Sequence, residues 1–128
     1  VTGGGAYDVA HYFANLKNCT VELVENENGF FTTDAKILVK DNSGKVIDTY
    51  IVSVTGDVNG DGSDADNTDA GLILAVAGLV GTFDSEAQKL AADFTNDDRI
   101  ETDDAGSALS VVSLTAKIDY VNRTAIPV

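Results

Sequence analysis

Eleven of the 21 acidic residues in this 128-residue chain stand in two short stretches. Residues 57 to 69 carry Asp57, Asp61, Asp64, Asp66 and Asp69 with Asn59 among them, and residues 93 to 104 carry Asp93, Asp97, Asp98, Glu101, Asp103 and Asp104. One or two acids before a helix satisfy free backbone N–H groups and complement the macrodipole. Five or six exceed what a cap can use. Hard oxygens at alternate positions are instead the donor set of a cation such as calcium. A loop wrapped round that ion presents ligands at positions 1, 3, 5, 7, 9 and 12, the seventh through its carbonyl, with a sharp turn at the sixth.

The second stretch fits this count. Asp93, Thr95 and Asp97 take positions 1, 3 and 5, the carbonyl of Arg99 position 7, Glu101 position 9 and Asp104 position 12. Thr95 is a neutral ligand, and Asp98 replaces the usual turn glycine, so this is expected to be the looser site. The first stretch opens with Asp57, Asn59 and Asp61 and has Gly62 at the turn, but reaches its closing acid, Asp69, at the thirteenth residue. Counting back from Asp69 puts Asp64 at the carbonyl position and Asp66 at the ninth, with Ser63 as the inserted residue. Counting forward uses the Ser63 carbonyl instead. Two calcium ions are the expected cofactor. An Asp- and Gly-rich turn that only caps a helix is the plainer reading of one such loop; two loops in register argue against it.

Each loop must be held by the elements that flank it. "DAGLILAVAGL" from Asp69 and "DAGSALSVVSL" from Asp104 agree in Asp, Ala, Gly, Leu, Val and Leu, so a loop-then-helix unit is repeated. "KVIDTYIVSVTG" before the first loop alternates as a strand, so no helix enters that site. "VGTFDSEAQKLAA" joins the units, with Ser85 and Gln88 at capping-box spacing for a short helix. In the first helix Leu72, Ile73, Val76, Leu79 and Val80 share a stripe expected to face the core. Leu74 points the other way among Ala70, Gly71, Ala77 and Gly78, and Leu109 repeats this among Ala105, Gly106, Val112 and Ser113. Neither helix carries a charge between its first Asp and its last turn, and an apolar outer face marks an interaction surface.

Composition agrees. A net charge of -13 disfavours nucleic acid and anionic membranes, and 44% hydrophobic residues suffice for a modest core. No apolar run approaches a membrane span. Val1 begins with neither a charged nor an apolar leader segment, the pattern of a mature or excised stretch. Cys19, the single cysteine, excludes an internal disulfide and reads as a buried strand residue.

"GDVNGDG…TDAGLILAVAGL" followed by "ADFTNDDRIETDDAGSALSVVSL" resembles a dockerin, the duplicated calcium-binding module by which extracellular polysaccharide-degrading enzymes and scaffold proteins dock onto cohesin domains. The resemblance covers roughly residues 56 to 114. It implies a secreted or cell-surface, non-catalytic adaptor whose partner is a cohesin, met by residues just before each closing acid and on the outer helix faces. Carried over by position, these are Asn67, Thr68, Leu74, Ala75 and Leu79 in the first unit, and Thr102, Asp103, Leu109, Ser110 and Leu114 in the second. Recognition is expected to be hydrophobic and to have one preferred orientation, since Ala75 and Gly78 match Ser110 and Ser113.

"GGGAYDVAHYFANLKN" reads as a helix carrying Val9, Tyr12, Phe13 and Leu16, with His11 a packing or surface residue. "CTVELVENENGFFTTDAKILVKDNSGKVIDTYIVSV" reads as three or four strands with a turn at "DNSG". This part resembles the X modules that precede some dockerins and is expected to be rigidly joined to the second part. The expected fold class is α+β: a small β-rich N-terminal module with one helix over residues 1–54, then an all-α dockerin of two EF-hand-like loop–helix repeats and a connecting helix over 55–128. The tail, with Tyr120, Ile126 and Pro127, is expected to fold back on the strand leading into the first loop. No nucleophile–base constellation supports an enzyme. A calcium-stiffened structural or adhesion module without a cohesin partner is the alternative, and it requires Leu74 and Leu109 to be covered within the chain. A carbohydrate-binding sheet lacks the tryptophan it would need.

Overall fold

The structure, a computed structural model, describes residues 19–24, 32–63 and 65–128. The expected N-terminal helix with His11 lies outside them, as does Asp64.

β-branched and aliphatic residues at alternate positions form three antiparallel strands, β1 (Cys19–Val24), β2 (Lys36–Asp41) and β3 (Val46–Ile51), in that order across the sheet. The β2–β3 turn is set by Asp41, whose Oδ1 accepts from the N–H groups of Ser43 (2.9 Å) and Lys45 (3.0 Å), and by Gly44 at a φ of 86°. Ile37 and Val39 of β2 point inward and join Ala35, Val52 and Val54 in burial, with Val21, Leu23 and Tyr120 against the same cluster.

Three helices come next: α1 (Asn67–Ala77), α2 (Glu86–Ala92) and α3 (Thr102–Val112). Ser85 caps α2 through its hydroxyl, which accepts the Gln88 N–H at 3.1 Å. Helices α1 and α3 pack through small residues, with Ala70, Ile73, Ala105 and Ala108 buried alongside Val58, Phe94 and the alanines of α2. The chain then forms an antiparallel hairpin, β4 (Ala116–Asp119) and β5 (Thr124–Pro127), against α3.

That hairpin overturns the expected all-α second part. Among the described residues the chain is a mixed α+β protein with three helices and five strands in two small antiparallel sheets, and the all-α dockerin of EF-hand-like repeats expected over 55–128 is not seen. The cause is local. Asp119 accepts the N–H groups of Val121 (3.0 Å) and Asn122 (3.2 Å), Arg123 takes a φ of 56°, and the turn lets "AKID" pair with "TAIP".

A second correction concerns the core stripe. Helix α1 stops at Ala77, so Leu79 and Val80 fall beyond it and are 92% and 84% exposed; Leu72 is also exposed, and Ile73 alone of the five is fully buried. The tail packs on the strand before the first loop through Tyr120, while Ile126 and Pro127 stay exposed.

The two parts meet tightly. Gly56 donates its N–H to the Ala91 carbonyl at 2.9 Å, Ser53 Oγ donates to the Ala87 carbonyl at 2.8 Å, and Ser85 Oγ donates to Asp34 Oδ1 at 2.7 Å. Only glycine fits at position 56: its φ is 90°, and a Cβ there would lie 2.6 Å from Ile118 Cδ1.

Candidate functional site

The two acidic loops share one hydrogen-bond plan. Asp57 Oδ1 accepts the Asp61 N–H at 3.0 Å and Oδ2 the Gly62 N–H at 3.3 Å; Asp93 Oδ1 accepts the Asp97 N–H at 3.3 Å and Oδ2 the Asp98 N–H at 2.9 Å. The closing acids match as well. Asp69 Oδ1 takes the N–H groups of Val58 (2.9 Å) and Asn59 (3.0 Å), and Oδ2 that of Asp66 (3.0 Å). Asp104 Oδ1 takes those of Phe94 (2.9 Å) and Thr95 (3.1 Å), and Oδ2 that of Glu101 (2.9 Å). Left-handed residues recur in step, Gly60 with Asn96 and Gly62 with Asp98. Asp98 supports this geometry where glycine is usual, and Lys89 reaches its Oδ1 at 3.1 Å.

This plan fixes the register between the loops. Ser63 donates its N–H to Asp61 Oδ1 as Arg99 does to Asp97 Oδ1, both at 2.9 Å, so Ser63 stands where Arg99 stands. The extra residue of the first loop therefore comes after Ser63, and the forward count, with the Ser63 carbonyl at the seventh position, is the one the backbone takes. Asp66 then matches Glu101, and both are N-caps: Asp66 Oδ1 accepts from Thr68 (2.8 Å) and Asp69 (3.1 Å) in a reciprocal box.

Asp57, Asp69, Asp93 and Asp104 are buried, and none forms an ion pair among the described residues. Burial pushes the Asp57 and Asp104 carboxyls up against the N–H groups that pull them down. Asp69, driven by burial first and by the nearby Asp66 charge, is pushed up to about 7. On the loop surfaces the direction reverses: the Ser63 hydroxyl lowers Asp61, and the Arg99 N–H lowers Asp97.

No three His, Cys, Asp or Glu side chains are grouped as a ready metal cage among the described residues. The donor chemistry nonetheless fits a hard cation. A carboxylate offers about four lone pairs; Asp57, Asp69 and Asp104 each accept three backbone N–H groups and Asp93 two, and the single Thr95 hydroxyl proton lies between Asp93 and Asp104, so each carboxylate keeps acceptor capacity for an ion. The charge itself stays uncompensated. Asn59 Oδ1 and Thr95 Oγ1 lie on the loops beside them, Asn59 accepting the Asp61 N–H at 3.1 Å.

Behind the loops, the outer faces of α1 and α3 repeat each other. Leu74 is 51% exposed and Leu109 47%, flanked by exposed Asn67 and Thr68 in one unit and Thr102 and Asp103 in the other; Ala75 and Ser110 are half-buried. Both helices end in the same way. Leu79 and Leu114 take left-handed φ values of 61° and 62°, and the residue after each donates back to Ala75 and Ser110 respectively, at 3.0 and 2.9 Å. Glycine normally occupies this position. Sequence patterning counted Leu79 as core and missed the strained helix end. The signal was Gly78 before Leu79, which marks where the apolar periodicity stops.

No protein-family model matches the chain, and neither does any curated protein or solved structure.

Proposed function

We propose that this chain is a non-catalytic docking module. Its two acidic loops are ordered by calcium, and its two matching helix faces bind a protein partner. The observation that carries this reading is the pair Leu79 and Leu114: each is a large apolar residue in the left-handed conformation, 92% and 83% exposed, at equivalent positions of the two units. Non-glycine residues at this φ cost about 1 kcal/mol, and the exposed side chains recover nothing within the chain. Leu74 and Leu109 extend the same surface. A Cβ on Gly71 or Gly106 would meet nothing within 4 Å, so internal packing does not call for these helix glycines.

Calcium, when bound, supplies positive charge to the buried acids of each loop. Asp57, Asn59, Asp61, the Ser63 carbonyl, Asp66 and Asp69 would hold it in the first, and Asp93, Thr95, Asp97, the Arg99 carbonyl, Glu101 and Asp104 in the second. The closing acids, Asp69 and Asp104, each tie a loop's beginning to the first turn of its helix, so ordering the loop orders the face behind it.

The resemblance to dockerins makes a cohesin domain the partner to test and a secreted or surface-attached protein the setting. Calorimetric titration against a panel of cohesins is expected to show binding in calcium, none in chelator, and loss on Leu74→Asp or Leu109→Asp. Binding to no cohesin, with calcium still raising the melting temperature, would favour the calcium-stiffened structural module; the exposure of both leucines speaks against that second reading.

A further inference from the structure

Strand β3 ends the order β1-β2-β3, no strand among the described residues pairs with its outer side, and all six of its residues are exposed. Edge strands usually carry lysine, proline or a bulge in mid-strand, which stops them pairing with another chain. β3 reads Val-Ile-Asp-Thr-Tyr-Ile, and its Ile47 and Ile51 are exposed to 54% and 49%. The irregularity in its pairing with β2, at Val39 and Lys40, lies at its start and leaves Asp48 to Ile51 regular. The backbone directions follow from Val52, which accepts the Asp34 N–H at 2.9 Å and donates its own to the Ala35 carbonyl at 2.8 Å, and so faces the β2 side. Alternation then turns the backbone groups of Thr49 and Ile51 outward. The Thr49 N–H is accordingly held by a side chain, Asp48 Oδ1, at 2.8 Å.

We propose that two copies of this chain join edge to edge through β3, as one continuous antiparallel sheet with the two Thr49 residues on its two-fold axis. In that register each outward Thr49 N–H meets the Thr49 carbonyl of the second copy, and the two threonine side chains stand opposite each other. Ile51 then faces Ile47 of the second copy, and Asp48 faces its Tyr50, a hydroxyl that a carboxylate can accept from. Every cross-strand pair is apolar with apolar or polar with polar, as a two-fold interface requires of a single patch. Sliding the register by two residues toward the Asp41 turn would set the two Asp48 carboxylates against each other, a like-charge pair that is destabilising. One short strand from each side is at the small end of specific interfaces, so the association is reversible and follows concentration. The inference stands apart from the calcium reading, since no residue of the acidic loops takes part. A dimer of this kind carries two sets of helix faces and would hold a partner with several docking sites by avidity.

The test is sedimentation of the full chain, alone in solution, over a concentration series, with amide hydrogen exchange read by NMR on the same samples. The mass is expected to rise from one chain to two. Exchange at Thr49 and Ile51 should slow as it does, while Asp48 and Tyr50, already bonded toward β2, stay unchanged. Thr49→Pro removes an N–H that points away from β2, a place where an edge strand tolerates proline. It should keep the melting temperature of the dilute chain and move the dimerisation midpoint to about tenfold higher concentration or more. Ile51→Lys should act in the same direction by setting a charge against Ile47 of the second copy, and it decides the matter if the proline variant fails to fold. A parent that keeps the mass of one chain at every concentration would overturn the proposal. So would a dimer that survives both substitutions, which would assign self-association to another face.

Discussion

Asp69 gives the calcium-free chain an unusual pH dependence. Its carboxyl is fully buried, faces no cation among the described residues, and titrates near 7 instead of near 3.8. Because the folded value is the higher one, the folded state holds a proton that the unfolded state has lost anywhere between these two values. Stability is therefore greatest in mild acid and falls as pH rises from about 4 to about 7. A difference of about 3 pH units corresponds to a ceiling of about 4 kcal/mol at ~1.4 kcal/mol per unit. Asp57 and Asp104, also pushed up by burial, act in the same direction. Asp41, Asp61, Asp97 and Asp119 are lowered and contribute the opposite way, but their stabilisation is lost only as pH falls below about 3.8, outside this window. The assay is thermal melting by circular dichroism from pH 5 to pH 8 in chelator. Even 1 kcal/mol moves the melting temperature of a domain this size by about 4 °C. Calcium binds the deprotonated acids, so the stabilisation it gives should grow over the same range. Asp69→Asn should flatten the slope and lower the baseline by about 1–3 kcal/mol, since its amide nitrogen must face an N–H donor. A chelated parent that melts higher at pH 7.5 than at pH 5.5 would refute the argument.

Replacing Leu79 and Leu114 with glycine should raise stability by about 1 kcal/mol each while weakening partner binding, a trade read by paired melting and titration experiments. Ile73→Ala, at the fully buried centre between α1 and α3, should lose about 2–5 kcal/mol in denaturant unfolding, the usual scale for core aliphatics. Gly56→Ala should destabilise through both its 90° φ and the contact with Ile118 Cδ1. Adding Ile118→Val, which removes that atom, should restore part of the melting temperature and leave the backbone share unrecovered.

Much of the site was legible because its signals are local. Asp and Gly spacing placed both loops, the repeated "DAG" placed both helices, and Ser85 with Gln88 placed the short helix between them. The expected ligand set took the count back from Asp69, with Asp64 at the seventh position and Ser63 inserted; the matched N–H bonds of Ser63 and Arg99 correct this to the forward count, because an Asp- and Ser-rich stretch offers an oxygen at either register and only the backbone chooses between them. The β4–β5 hairpin was missed although Asp119 and Asn122 carry turn chemistry, because the four-residue strands are too short for periodicity to show. Leu79 was misplaced because an ideal 3.6-residue pattern runs on past Gly78, whereas the chain leaves the helix there. The contact of Thr33 with Asp57 spans more than twenty positions, and no local pattern encodes it.

The central claim is that two equivalent loops take up calcium and thereby order the helix faces. Calorimetric titration of calcium into chelator-stripped protein at pH 7.5, with the ions counted per chain, tests it most directly. Two ions are expected, falling to one in Asp104→Asn, with a higher melting temperature at saturation. No heat of binding, together with a melting temperature indifferent to calcium, would contradict the account.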